Sequence, residues 1–336
     1  MRLENVIALT HATLLNSPYV SDFSGITYEA KSVKRGFLFI ARESSEIELA
    51  ILNGAYGILF DSPMQMTDSE IAWIKVDDIA TALLRILRFH ILDKNITAFE
   101  CDTITLDLSS QISTEERFKA LNGDIFETFK ELWEISPDSV ILFTHSFTCK
   151  DIFTHPKEMP KCADEKISVI EQTLFETSFI YDDVYYEREV LSVFFIPYLE
   201  ILLSLLKEQK INFKITSFKH LSHFEPVFTN KNFEAKEFGT SDKVLIFESD
   251  FEFIESQITF LQNQANWAKI IYILPKNRID ENIQILPNIF TYTTQQDIIS
   301  ILKSTDFHFA LIAEQNKTLL EKSFFTKKTQ QLTLEF

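Results

Sequence analysis

The chain has 336 residues, 46% of them hydrophobic, and a net charge of −17. That apolar share supports two or three packed domains and excludes an intrinsically disordered chain. The acidic balance repels phosphate backbones and anionic headgroups, so direct nucleic-acid binding and adsorption to an anionic membrane are poor defaults.

Cys101, Cys149 and Cys162 make no disulfide framework and fit a reducing, cytoplasmic setting. Met1 to Leu15 carries Glu4 and Asn5 before a short apolar run and lacks the basic start of a secretory leader. Val190 to Leu206 is the most apolar window. Pro197 and Glu200 interrupt it, so it reads as a buried core helix and no membrane span is expected. The 6 glycines are Gly25, Gly36, Gly54, Gly57, Gly123 and Gly239. None precedes a lysine and no two have G-x-G or G-x-x-x-x-G spacing, so neither a Walker A loop nor a dinucleotide fingerprint is present.

In chain order, Glu4 to Leu15 predicts a helix. Ile26 and Tyr28 lead into a polar turn that Gly36 closes, and Gly36 to Ala41 is an apolar run of strand length. Glu46 to Asn53 is a short helix stopped by Gly54, and Tyr56 to Phe60 is the next buried strand. Ala72 to Val76 predicts a strand and Ile79 to Leu92 an amphipathic helix. Beyond Asn95 the pattern predicts strand and further strand-like alternation to Leu108, then a helix from Ser113 to Trp133 and a strand at Val140 to Thr144. Residues 167 to 179 and 188 to 208 read as helices, Asn212 to Phe218 as a strand and Leu221 to Phe238 as irregular. The β/α rhythm then returns: strands at Lys243 to Phe247, Ile270 to Leu274, Ile289 to Tyr292 and Phe307 to Ala313, with helices at Phe251 to Gln264, Gln295 to Lys303 and Lys317 to Ser323. Strands alternating with helices over short connections predict an α/β fold of mostly parallel sheets flanked by helices.

Ser24 to Leu92 resembles the N-terminal domain of the Mur ligases, closest to the MurE and MurF types. Gly36-Phe37-Leu38-Phe39-Ile40-Ala41 stands for the family's Gly-x-Leu-Phe strand, and Ala50 to Ala55 for its Ala-x-x-x-Gly-Ala helix end. Lys75-Val76-Asp77-Asp78 stands for its Val-Asp-Asp segment. The family's Asp-Ser/Thr-Arg turn falls on Glu29-Ala30-Lys31, and its Asp-Gly-His loop is shortened to Arg42 to Ser45. The resemblance implies a domain that holds the UDP end of a UDP-linked muramoyl peptide, with Glu29, Lys31, Arg42 and Ser44 as candidate substrate contacts. Solvated surface charges are the alternative reading of Lys31 and Arg42. Where the family's ATP loop should follow, the chain has Glu100 to Asp107, with acids in place of backbone N–H groups and a lysine. The resemblance implies the family's multi-domain arrangement: an N-terminal domain over 1–95, a central α/β domain without the phosphate loop over 96–235, a Rossmann-like α/β domain over 236–328, and a tail, 329–336. It also implies a non-ATPase descendant with no cofactor, whose partners are the UDP-linked precursor or a cell-wall synthesis enzyme.

Other constellations compete. His145, Cys149, His155 and Cys162 have zinc-ligand chemistry in a spacing that matches no closed structural site. His145-Ser146 beside Cys149 lacks a nucleophile elbow. Asp182-Asp183 with Glu187 and Glu189 could bind Mg²⁺, against the reading of a solvated charge run. The tail Gln331-Leu332-Thr333-Leu334-Glu335-Phe336 resembles the hexapeptide with which bacterial proteins bind the DNA polymerase sliding clamp, through Gln331, Leu332, Leu334 and Phe336. The alternative function is thus a scaffold protein that contacts the clamp.

Overall fold

A computed structural model describes residues 1–161, 166–278 and 287–313. The expected helix Lys317 to Ser323, the tail Gln331 to Phe336 and Cys162 lie outside the described residues. The chain divides into two compact units, one comprising Met1–Leu106, Thr114–Pro160 and Leu205–Phe213, the other Asp107–Ser113, Lys161–Ser204 and Lys214–Phe336. The architecture is α/β, with mostly parallel sheets flanked by helices.

The first unit contains two sheets. The N-terminal one runs in the order Thr13–Leu14, Ala72–Lys75, Ala55–Phe60, Phe37–Ile40, Gly25–Thr27, parallel except for Thr13–Leu14. Alternate residues of its strands serve opposite faces, as the two-residue period requires. Leu38, Ile40, Leu59 and Ile74 pack with Leu83, Ile86 and Leu87 of helix Ile79–Ile91. Phe39, Ile58, Phe60 and Trp73 pack on the other face with Ile47 and Ala50 of helix Ile47–Leu52. The expected strands and helices of residues 24 to 92 are all present, within a residue or two of their predicted limits. Asp78 caps Ile79–Ile91, its carboxylate accepting from Thr81 N at 2.7 Å. Gly36 and Gly54 have φ of +90° and +97°, and Gly36 N donates to Gly54 O at 3.0 Å, so both turns need a residue free of left-handed strain.

The second sheet, in the order Lys157–Glu158, Thr97–Cys101, Val140–Thr144, Phe118–Leu121, is wholly parallel. Helix Ile125–Trp133 covers it, and Phe129 and Leu132 share one core cluster with Leu83, Ile86, Ile141 and Phe143. The two sheets of this unit are thus joined by continuous apolar packing rather than by a linker.

Three expectations ahead of residue 140 are corrected. The first helix spans Leu3–Thr10, not Glu4 to Leu15: His11 turns left-handed at φ 54°, and Thr13–Leu14 joins the sheet edge instead. The strand-like stretch after Cys101 is a helix, Thr103–Gln111, started by Asp102, whose carboxylate accepts from Thr105 N at 2.7 Å and from Thr105 Oγ1 at 2.9 Å. The helix expected from Ser113 begins only at Ile125. Asp124 and Glu127 form a capping box there, while Ile112–Thr114 and Phe118–Leu121 are strands and Glu115 pairs with Arg117 at 3.0 Å.

The second unit has a five-stranded sheet ordered Glu225–Thr229, Lys243–Glu248, Phe309–Ala313, Ile270–Pro275, Ile289–Tyr292. It is parallel except for Glu225–Thr229, an edge strand in a stretch expected to be irregular, where Pro226 is tolerated. Leu245, Phe247, Ile273 and Ile312 pack with Ile298 and Leu302 of helix Gln295–Ser304.

The same unit holds an antiparallel meander, Ser168–Gln172, Thr177–Tyr181 and Val184–Glu189, in place of the helix expected over 167 to 179 and the start of the one expected over 188 to 208. The helix proper is Ile196–Glu208, with Leu199, Leu202 and Leu203 buried. Asp182 and Asp183 form the two-residue hairpin turn, both left-handed at φ 49° and 61°. Their adjacency is explained by turn geometry, since Asp tolerates this region and a primed turn requires it twice. Replacing Asp182-Asp183 by Asn-Gly is expected to raise the stability of this unit by roughly 0.5–1 kcal/mol, because the pair relieves residual left-handed strain. Urea unfolding checks this, and a loss of stability would contradict the turn assignment.

Candidate ligand-binding site

Two clefts meet at the turn Tyr28 to Ser32 in the first unit. One, of about 360 Å³, is walled by Tyr28, Phe37, Phe129 and Trp133 and carries Lys34 and Lys130. The other, of about 490 Å³, is bordered by Lys31, Arg42, Glu43, Glu46 and Leu49. Tyr28 and Glu29 line both. The turn exists because strand Gly25–Thr27 ends at the sheet edge and Ala30, buried in the core with Trp73, holds the one-turn 3₁₀ helix Ala30–Ser32 down. Asn53 Nδ2 adds a hydrogen bond to Ala30 O at 2.9 Å.

The other side of the first cleft comes from helix Ile125–Trp133. Phe126 sets its ring edge-on to Tyr28, centroids 5.4 Å apart, and lies under the Arg42 guanidinium at 4.3 Å. Lys130 Nζ donates to Glu29 Oε1 at 2.8 Å, and Glu29 Oε2 accepts from Ser32 Oγ at 2.8 Å. Trp133 stacks between Phe129 and His90, with centroids at 5.1 and 4.1 Å. The hydrogen bond from Lys130, helped by that from Ser32, holds the Glu29 carboxyl below its ordinary range. The same bond raises the Lys130 ammonium, and burial pushes the Tyr28 phenol up. The result is a half-apolar recess of mixed charge, with Lys34 and Lys130 beside Glu29 and Glu134 in the first cleft and Lys31 and Arg42 beside Glu29, Glu43 and Glu46 in the second.

Of the four predicted substrate contacts, Glu29 sits where the clefts join, and Lys31 and Arg42 border the second. Ser44 opens the short 3₁₀ turn Ser44–Glu46, is exposed, and lines neither cleft. Sequence reading missed Lys34, Phe129, Lys130 and Trp133. The spacing of Phe126, Phe129, Lys130 and Trp133 marks one helix face, but nothing local tells which turn that face meets.

His145 and His155 are exposed and Cys149 is buried, and among the described residues no group of three or more His, Cys, Asp or Glu is placed to hold a metal ion. At the strand-to-helix turn after Thr97–Cys101, Asp102 takes the N–H of Thr105, so a carboxylate occupies the first turn of the helix. Burial, then the charges of Asp102 and Glu100, push the Cys101 thiol far up, which leaves it unreactive. Among the described residues no helix is long and apolar enough to cross a membrane.

No family model and no curated protein matches the chain. Among solved structures it is similar to MurF from Acinetobacter baumannii, at 9% identity over 96% of this chain and 97% of that one, TM-score 0.49. It is also similar to MurF ligase from Thermotoga maritima in complex with ADP, at 10% identity over 86% and 93%, TM-score 0.46. A third neighbour is UDP-N-acetylmuramoyl-L-alanyl-D-glutamate–2,6-diaminopimelate ligase, at 8% identity over 93% and 92%, TM-score 0.36.

Proposed function

We propose that the chain is a Mur-ligase-like binding protein of cell-wall synthesis that holds a UDP-linked muramoyl peptide, or presents it to a synthesis enzyme, without turning over ATP. The observation that carries this reading is the pair of joined clefts at Tyr28 to Ser32, with Tyr28, Phe37 and Trp133 along the first and the cations Lys31, Lys34, Arg42 and Lys130 set among Glu29, Glu43, Glu46 and Glu134. The turn itself, though not helix Ile125–Trp133 opposite it, falls in the stretch whose motifs resemble the family's UDP-holding domain. The non-ATPase part rests on the helix after Cys101. A triphosphate needs free backbone N–H groups and a lysine at such a turn, and here the Asp102 carboxylate already takes the Thr105 N–H and would repel a phosphate. Domain limits at residues 95, 235 and 328 belong to the same reading.

Trp133 reports on the first cleft directly, since it lines it. Titrating the whole protein with a UDP-linked muramoyl peptide is expected to change Trp133 fluorescence saturably, and Lys31→Ala to weaken binding roughly 3- to 10-fold, the loss typical of one wet charged contact. Absence of binding, or binding that Lys31→Ala leaves intact, overturns the reading. ATP turnover above background overturns its non-ATPase part.

A further inference from the structure

Glu29 and Lys130 meet where the two clefts join. Lys130 lines the first cleft with Tyr28, Phe129, Trp133 and Glu134, the last a more distant charge than Glu29, which lines both clefts and alone bonds the ammonium within 4 Å among the described residues. Their side chains are open to water, at 66% exposure for Lys130 and 42% for Glu29. An ion pair that wet is weak, and its members exchange for better partners. A phosphate is a better partner for an ammonium than one carboxylate oxygen, because it offers more charge and more acceptor oxygens. Lys130 nonetheless starts from a fixed point. Phe126, one turn earlier on the same helix, is held against the turn by Tyr28 and Arg42. Only the partner of the ammonium has to change. Glu29, once released, keeps its hydrogen bond from Ser32 and need not move into the apolar part of the cleft.

Resting on the nucleotide-sugar reading of this site, we propose that Lys130 binds the diphosphate of the ligand, and that Glu29 is its internal competitor, holding the ammonium until the anion displaces the carboxylate. The contact would be supplied by helix Ile125–Trp133, which lies outside the stretch that carries the family resemblance. Glu29 thereby sets a threshold. A ligand with a single carboxylate offers Lys130 nothing that Glu29 does not already supply, whereas a diphosphate does. Uridine, which has no phosphate, would leave the pair undisturbed.

The test is calorimetric titration of the whole protein, wild type, Lys130→Gln and Glu29→Gln, with UDP, uridine and the UDP-linked muramoyl peptide. Lys130→Gln is expected to weaken UDP and the peptide roughly 10-fold and leave uridine unchanged, while Glu29→Gln tightens UDP roughly 3-fold by freeing the ammonium. If the wild type binds and both variants match it, the pair is a surface contact, and the competitor idea falls while the nucleotide-sugar reading stands. If Glu29→Gln weakens UDP, Glu29 orients Lys130 rather than competing for it, and the proposal is overturned. If the wild type binds neither UDP nor the peptide, both the site reading and this inference fall. Should Lys130→Gln not fold, the sign of the Glu29→Gln effect decides alone.

Discussion

Glu248→Ala is expected to destabilise the second unit by about 3–5 kcal/mol, the cost of leaving a buried charge partner unpaired. Glu248 ends strand Lys243–Glu248 and is buried, as are His223 and Gln257. Its carboxylate accepts from His223 Nδ1 at 2.8 Å, Asp250 N at 2.8 Å and Phe224 N at 3.2 Å, and from the Gln257 side-chain amide. Truncation strands the donors of His223, Phe224 and Gln257 away from water, and each unmet buried donor adds to the loss. The pair also makes stability depend on pH. Burial acts to lower the His223 pKa, but the hydrogen bond and charge of Glu248, aided by Asp107 and Asp250, outweigh it and raise it above 6.5. A raised histidine contributes fully below its unfolded value and loses that contribution as pH rises through the folded value. The wild type should therefore lose stability from about pH 6.5 upward, and His223→Gln should flatten that slope. Urea unfolding at several pH values measures both effects. A loss under about 1 kcal/mol for Glu248→Ala would mean the network is not closed in solution.

Trp73→Ala is expected to cost the first unit a similar amount, about 3–5 kcal/mol, through lost apolar burial and the cavity left behind. Trp73 is fully buried, sets its ring edge-on to Phe60 at 6.1 Å and donates from Nε1 to Asp68 O at 2.6 Å. Trp267, at 71% exposure, is the control, and its replacement should change stability by less than about 0.5 kcal/mol. Ala30, in the cleft-forming turn, is buried in the same cluster as Trp73. Trp73→Ala should thus loosen the site as well as the core, and the ligand titration should weaken with it. Equal unfolding midpoints for wild type and Trp73→Ala would contradict this packing.

The sequence by itself determined the N-terminal sheet except for its edge strand Thr13–Leu14, which reads as the end of a helix. Phe37 to Ile40 and Ala55 to Phe60 are apolar runs too short for helices, Gly54 stops one helix at a positive φ, and the amphipathic period marks the next, Ile79–Ile91. Each of those signals lies within a turn or a strand of the residues it governs, so local reading reaches it. The segments after Cys101 and after Lys166 were misread because their apolar spacing suits both periods. Asp102 as a helix cap and Asp182-Asp183 as a primed turn decide them, and neither stands out until the flanking elements are in place.

The candidate site was half legible. Glu29, Lys31 and Arg42, the candidates that the motif order names, border the clefts, and Ser44 lines neither. What completes the recess is helix Ile125–Trp133, whose Lys130 reaches Glu29 across 101 positions of chain. An exposed lysine has no preferred partner in its own sequence neighbourhood. Its partner is chosen when Phe129 and Leu132 of its helix pack into the core shared with Leu83 and Ile86 and so bring Phe126 and Lys130 against the turn. The sequence alone could say which turn resembles a substrate-holding one. Only the burial of that helix decided that the turn has an opposite wall.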